Sequence, residues 1–416
     1  MTRQTDGYFR RFGFCERQMQ TPPDSDLSLA VVIPCFNEPD LVKSLESLRR
    51  SERPSGGVEV IVVVNSAAGC SPGILKQNQR SLNEARQWTE TQKEPRLTVH
   101  LIDAQNLPPR HAGVGLARKI GMDEALRCFD DIGKLNEGII LCFDADCECA
   151  PNYLASVEGH FRVHRDSPGC SICFEHPLEG EMQPAVYDAV TNYELHLRYY
   201  VQALRYAQFP HAYHTIGSSM AVRARVYMEQ GGMNRRQAGE DFYFLHKLIP
   251  LGGFTELNAT TVYPSPRASD RVPFGTGRAV SDWLQEGARK TYPLRAFEDL
   301  RLLLKAVPMP MNSAEPAHLP ESVRTFLEDQ NFSDALKEIQ RNTSTPETFT
   351  KRFFRWFDGF RVMKFVHHAR DTFYGEQEIG PAAAELLTRV SSQSKGHSPR
   401  ELLLAYRALQ RPGFPP

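Results

Sequence analysis

The stretch FDADC, residues 143–147, puts Asp144 and Asp146 two positions apart directly behind the apolar run GIILCF. In extended backbone, residues i and i+2 share a face, so both carboxylates would project to one side of a strand end. Two hard oxygen donors placed so suit Mg²⁺ or Mn²⁺ holding a diphosphate. The plainer alternative is a solvated strand tip with a helix cap, and a bare D-x-D does not choose between them. A second acidic pair, Glu240 and Asp241 in GEDFYFLHKL, opens a helical pattern, where the dipole favours anions. Acidic residues there are mostly caps, yet an aspartate within about 3 Å of a hydroxyl can also take its proton. The preceding GSSMAVRARVYMEQGGMN supplies small residues and a Gly-Gly turn, as where backbone approaches a substrate closely.

These residues need a scaffold, and residues 29 to about 145 describe one. SLAVVIPCFN, VEVIVVVNS, RLTVHLID and GIILCFDAD read as strands, apolar on both faces. PDLVKSLESLRRS, SLNEARQWTETQ and GVGLARKIGMDEALRCF between them read as helices. Alternation of this kind means parallel βαβ units with a ligand crevice at the strands' carboxyl ends. Those ends are polar: Asn37 and Glu38, Asn65 and Ser66, Asp103, then Asp144 and Asp146. Further on, CSICFEHPL reads as a strand, residues 184–207 as a long helix, HTIGSSMAVRARVYMEQGG as a strand or turn with a short helix, and residues beyond about 280 as helices. Ser344 or Thr345 and Ser398 stand before Pro and Glu as helix caps. The aromatic stripe of Phe353, Trp356, Phe357, Phe360 and Phe365 reads as core packing against the main domain.

The 416 residues leave room for two or three cores, and the net charge of -1 gives no general attraction to nucleic acid or anionic lipid. An anionic ligand must therefore be held by a local site. No apolar run approaches the ~18 residues of a membrane span, and the start lacks the apolar region of a signal peptide, so a cytoplasmic protein is expected. Nine cysteines, an odd number scattered through strands and helices, fit reduced thiols.

Taken in order, VVIPCFNEPDLVKSLESL, GVGLARKIGMDEA, CFDADCECAPNYL, GSSMAVRARVYMEQGGM and GEDFYFLHKL resemble the family-two glycosyltransferases of GT-A fold, over residues 29 to 275. The resemblance implies a mostly parallel sheet flanked by helices in a domain of residues 29–280, after an extension of residues 1–28 and before a helical region of residues 281–416. It implies transfer of a sugar from a nucleoside-diphosphate-sugar donor to a hydroxyl acceptor of unknown identity, inverting, non-processive and dependent on Mn²⁺ or Mg²⁺. By the same resemblance Pro34, Asn37 and Glu38 line the nucleotide pocket, Arg118 faces the donor, and Asp144 and Asp146 bind ribose and cation. Asp241 is then the general base, with Glu240 beside it on the donor side. A retaining enzyme on the same fold, or a sugar-nucleotide-binding protein without catalysis, shares most of these features.

Several residues depart from that pattern. The second strand ends VVVNSAAG without the usual acidic pair, leaving Asn65 to bond a base edge or ribose. No histidine lies in TVYPSPRASDRVPFGTGRA, where a metal ligand is common; Arg267 and Arg271 could there neutralise phosphate, with Asp270 holding one of them or joining the metal, or the segment is a surface loop. His211 and His214 are alternative ligands or merely structural. A zinc site of Cys147, Cys149, Cys170 and Cys173 has unsuitable C-x-C spacing, and GVGLAR lacks the third glycine of a dinucleotide loop. The acceptor would lie against residues after about 170, among them Tyr193, Glu194 and His196.

Overall fold

The computed structural model describes residues 3–92, 94–269, 271, 275–306, 318–391 and 398–411. Two compact units result, one of residues 1–182 and 215–281, the other of residues 183–214 and 282–416. The first holds strands β1 (Leu27–Cys35), β2 (Gly57–Ala67), β3 (Leu97–Leu107), β4 (Ile139–Cys142), β5 (Cys147–Cys149), β6 (Gly169–Phe174), β7 (Met220–Arg223) and β8 (Thr255–Pro264). They form one sheet in the order β3-β2-β1-β4-β7-β6-β8-β5. Strands β1 to β4 are parallel, β6 and β8 are parallel, and β7 and β5 pair antiparallel to their neighbours. This is the mostly parallel α/β sheet that the alternation of apolar runs implies.

Helices α1 (Arg3–Phe12), α2 (Leu41–Arg50), α3 (Pro72–Thr91), α4 (Val114–Asp131) and α5 (Tyr153–Val163) belong to the same unit. Strands β1 and β2 are buried on both faces because helices cover both, which is why their sequences are unbroken apolar runs. One core joins Val31, Ile33, Val60, Val62, Leu141 and Phe143 to Leu45 and Leu48 of α2 and Leu82 of α3. Gly121 of α4 lies against β1, and a Cβ there would sit 2.5 Å from Val32 Cγ1.

The first residues of the chain, read above as an extension, fold onto α4. Tyr8 donates from its hydroxyl to Asp123 at 2.7 Å, the Met19 amide donates to Glu124 at 2.9 Å, and Arg17 pairs with Asp131 at 2.6 Å. That cover explains why α4 is buried almost all round although it carries charged residues.

The second unit holds α6 (Pro184–Tyr206), the long helix placed above in the domain of residues 29–280. The first unit also holds α7 (Ala224–Glu229) and α8 (Glu240–Leu248), and α9 (Thr276–Glu286) runs across the end of its second segment at residue 281. Then come α10 (Leu294–Ala306), α11 (Glu321–Asp329), α12 (Phe332–Arg341), α13 (Pro346–Trp356), α14 (Gly359–Ala369), α15 (Ile379–Val390) and α16 (Pro399–Ala408). A two-residue ladder, β9 (Lys290–Thr291) with β10 (Gln377–Glu378), adds a strand pair where only helices were expected. Thr345 and Ser398 close capping boxes, with Thr348 as the partner of the first. The rings of Phe353 and Phe365 meet Phe332 and Phe326 of the same unit, so the aromatic stripe builds that unit's own core. Among the described residues no helix is long and apolar enough to cross a membrane.

Candidate active site

The strand order reverses between β1 and β4, the place where an open α/β sheet forms a crevice at its carboxyl edge. Both strands end in acids there. Past Cys142 the backbone does not stay extended: it turns, with the Cys147 amide donating to the Asp144 carbonyl at 3.0 Å. The expectation that Asp144 and Asp146 share a face by strand alternation is therefore corrected. A tight turn brings the two carboxylates near each other instead, and Ser44 of α2 pins that turn by donating to the Ala145 carbonyl at 2.8 Å. Strand β5 then pairs with β8, which delivers the segment carrying Arg267 to the same edge.

Arg118 joins this turn to the second acidic motif. Its guanidinium is buried and donates from Nη2 to Asp144 Oδ1 and from Nη1 to Glu240 Oε1. The glycines of GVGLAR permit this reach: at Gly115 a Cβ would collide with the Arg236 carbonyl, and at Gly113 it would sit 2.8 Å from Gln237 Cα. Small residues thus let the start of α4 approach the segment leading into α8. Gly217 has a related role, since a Cβ there would lie 2.6 Å from Arg118 Nη1. Glu240, read above as a donor-side residue, is itself buried and spent on Arg118.

Burial raises the carboxyl of Glu240 above the usual range, with Arg118 opposing and Asp241 reinforcing the shift. Asp241 is raised for the same leading reason, against Arg118 and backbone donors from Phe242 and Gly217. Asp146 is pushed up to about 6 by burial, then by the charges of Asp144 and Glu38, despite Arg271 and Arg267.

A second knot of charge surrounds Glu38. Asn37 takes a left-handed conformation, φ 49°, and its amide donates to Asn78 Oδ1 at 2.8 Å, which turns the chain so that Glu38 points inward. Glu38 is buried and accepts from Arg267 and, at 2.6 Å, from Arg271. The same guanidiniums stand 3.6 and 3.5 Å from Asp146 Oδ2. Arg267 and Arg271 are thus drawn into the site rather than left on a surface loop; Asp270 lies outside the described residues. Pro34 is a buried residue of β1, in register with Val63 of β2. At the end of β2, Asn65 Oδ1 and Ser66 Oγ are buried without a hydrogen-bond partner among the described residues, and Arg118 Nε is a third such atom. Orphaned polar atoms of this kind are costly unless a ligand or water completes them.

Whether the residues fit a divalent cation follows from this inventory. Among the described residues Glu38, Asp40, Asp144, Asp146, Glu240 and Asp241 face three guanidiniums, those of Arg118, Arg267 and Arg271, which leaves an excess of hard anionic oxygen. Asp144 Oδ2 has no hydrogen-bond partner among the described residues. No group of three or more His, Cys, Asp or Glu arranged for a metal occurs among them. The donor set fits Mg²⁺ or Mn²⁺ bound through one or two carboxylates, with the remaining positions filled by phosphate and water. No disulfide joins the cysteines among the described residues, and burial raises Cys147 and Cys170, so a zinc knuckle is unsupported. His214 bonds Gln410 at 2.8 Å, and burial holds its imidazole well below the usual value. Glu194 is consumed by Arg198 and Arg407, each at 2.7 Å, and His196 by Thr291 at 2.8 Å, so neither presents a free group to an acceptor.

No family model and no curated protein matches the chain. Among solved structures it is similar to Staphylococcus aureus TarS residues 1-349 in complex with UDP-GlcNAc, at 14% identity and a TM-score of 0.43, covering 76% of this chain and 92% of that one. It is also similar to the mannosyltransferase PcManGT from Pyrobaculum calidifontis in complex with GDP-Man and Mn²⁺, at 16% identity and a TM-score of 0.34, covering 98% and 94%. Both scores lie below 0.5.

Proposed function

We propose that this chain is a glycosyltransferase of the GT-A kind, transferring a sugar from a nucleoside-diphosphate-sugar to a hydroxyl acceptor. The observation that carries the reading is the single buried guanidinium of Arg118, which ties Asp144 to Glu240 and so brings a diphosphate-type acidic turn beside Asp241. Transfer needs one centre that tolerates the leaving diphosphate and another that takes the acceptor's proton. The turn supplies the first and the start of α8 the second.

In this reading Asn65 and Ser66 bond the nucleoside through their unpartnered oxygens, and Asn37 and Pro34 shape the pocket floor. Glu38 holds Arg267 and Arg271, which face the phosphates. Asp144 and Asp146 would hold Mn²⁺ or Mg²⁺, a Lewis acid that offsets charge on the leaving diphosphate. Glu240 keeps Arg118 in place, and the raised carboxyl of Asp241 is tuned toward a general base working nearer neutrality than a solvated aspartate. In this reading the deprotonated acceptor oxygen attacks the anomeric carbon opposite the leaving diphosphate, a single displacement that inverts that centre.

The test is nucleoside diphosphate release from a panel of UDP-, GDP- and TDP-sugars with Mn²⁺, Mg²⁺ or EDTA. Release with one donor in Mn²⁺, lost in EDTA, is the expected result. Tight donor binding without transfer to any acceptor or water would favour a binding protein, and turnover that persists in EDTA would give the phosphate role to Arg267 and Arg271 alone.

A further inference from the structure

The first unit contains a cavity of about 430 Å³ whose wall includes none of the residues assigned above. The volume falls within the range of small-ligand sites, about 300–1,000 Å³. Its charged lining is one-sided: Arg11, Lys119, Arg235 and Lys247, with Glu229 as the lone acid. Glu229 already accepts from Arg225 at 2.7 Å. Lys119 is buried and pairs with Asp123 at 3.1 Å.

The other three cations have no carboxylate at ion-pair distance among the described residues. Arg11 lies 4.9 Å over the Phe12 ring and Arg235 5.4 Å over Phe14. Lys247 reaches only two carbonyl oxygens, of Gln230 and Gly232, at 3.4 and 3.5 Å. Cations gathered without counter-charge repel one another, and a bound anion relieves that repulsion. The positions are set by backbone: Gly231 and Gly232 adopt φ of 74° and 70°, and a Cβ on Gly232 would collide with the Tyr8 hydroxyl.

We propose that this cavity binds the phosphate group of a small organic phosphate. Two arginines and a lysine supply donors suited to a dianionic phosphate, and the Phe12 ring in the wall gives the organic part an apolar surface. A nucleic acid is a poor fit, since the chain carries a net charge of -1 and the cations line one cavity rather than an extended face. The site is independent of the reaction proposed above, although α4 carries both Arg118 and Lys119, and α8 both Asp241 and Lys247.

Calorimetric titration of the full chain in EDTA, with inorganic phosphate and with ribose 5-phosphate as probes, tests it. Ribose 5-phosphate should bind, more tightly than inorganic phosphate. The double variant Arg235→Gln, Lys247→Gln should weaken it by about tenfold or more, roughly the loss of one charged contact, whereas Arg267→Gln leaves it unchanged. Both mutated side chains are exposed, and a thermal melt checks that the variant folds; Lys247→Glu gives a second variant with the same expected loss. Equal affinity in the folded double variant, loss in Arg267→Gln instead, binding of inorganic phosphate alone, or no binding of ribose 5-phosphate to the wild type overturns the proposal.

Discussion

Helix α4 touches two buried charge clusters from consecutive residues, and the two are built on opposite terms. Lys119 faces a closed group in which Asp123 accepts from Tyr8 and Tyr227, each at 2.7 Å, and pairs with the lysine itself. Arg118 faces an open one, where Glu240, Asp241 and Asp146 are all raised by burial and Asn65, Ser66 and Arg118 Nε keep unpartnered atoms. A cluster that completes its own hydrogen bonds stabilises the fold and asks for nothing more. One that buries more acids than bases stores unfavourable energy that a cation and a substrate can relieve, which is the usual mark of a working site.

The largest effect that would sharpen this contrast is on catalysis. Asp241→Asn should lower kcat by about 10²–10⁴-fold, the usual contribution of a general base, with donor affinity nearly unchanged. Wild-type turnover of that variant would remove Asp241 from the mechanism. Next in size is Arg118→Met, which leaves the buried Glu240 without its cation and removes the partner of the half-buried Asp144. Breaking such a pair typically costs about 3–5 kcal/mol, read as a lower urea midpoint, and an unchanged midpoint would show the open cluster to be less buried than it looks.

A pH experiment separates the same site from ordinary acids. The folded state raises Asp241 above its unfolded value, so the protonated form is the better tolerated one. Stability from this group is present at low pH and lost as pH rises through the folded value. Asp241→Asn should therefore be more stable than wild type near pH 8, and the difference should vanish near pH 4, around the unfolded value of roughly 3.9. In the wild type, kcat should fall on acidification from a higher pH than a solvated aspartate would give. The smallest change belongs to the closed cluster: Tyr8→Phe removes one hydrogen bond to Asp123 and should cost about 1 kcal/mol, with kcat untouched. A large loss of activity in that variant would mean the two clusters are coupled through α4.

Much of this was legible in the residue order. Unbroken, β-branched apolar runs of β1, β2 and β4 separated by amphipathic helices read as strands covered on both faces, and polar residues at their ends mark the crevice. The capping boxes and the long helix α6 follow from local chemistry in the same way. The two acidic motifs were visible as motifs, because their spacing is local. Hidden from the sequence was the cover of residues 3–19 over α4, since its contacts join Tyr8 to Asp123, Arg17 to Asp131 and Met19 to Glu124 across more than a hundred residues. The turn at Asp144 was hidden too: its bond to Cys147 competes with extending the strand, and Ser44 of another element decides the outcome.

The sequence by itself determined the strands, the helices and which side chains could do chemistry, because periodicity, capping and residue type act over a few positions. Tertiary structure alone decided which charges meet. Arg118 finds Asp144 and Glu240 while Lys119, one residue on, finds Asp123, because neighbouring helix positions point about 100° apart and only packing determines what lies in each direction.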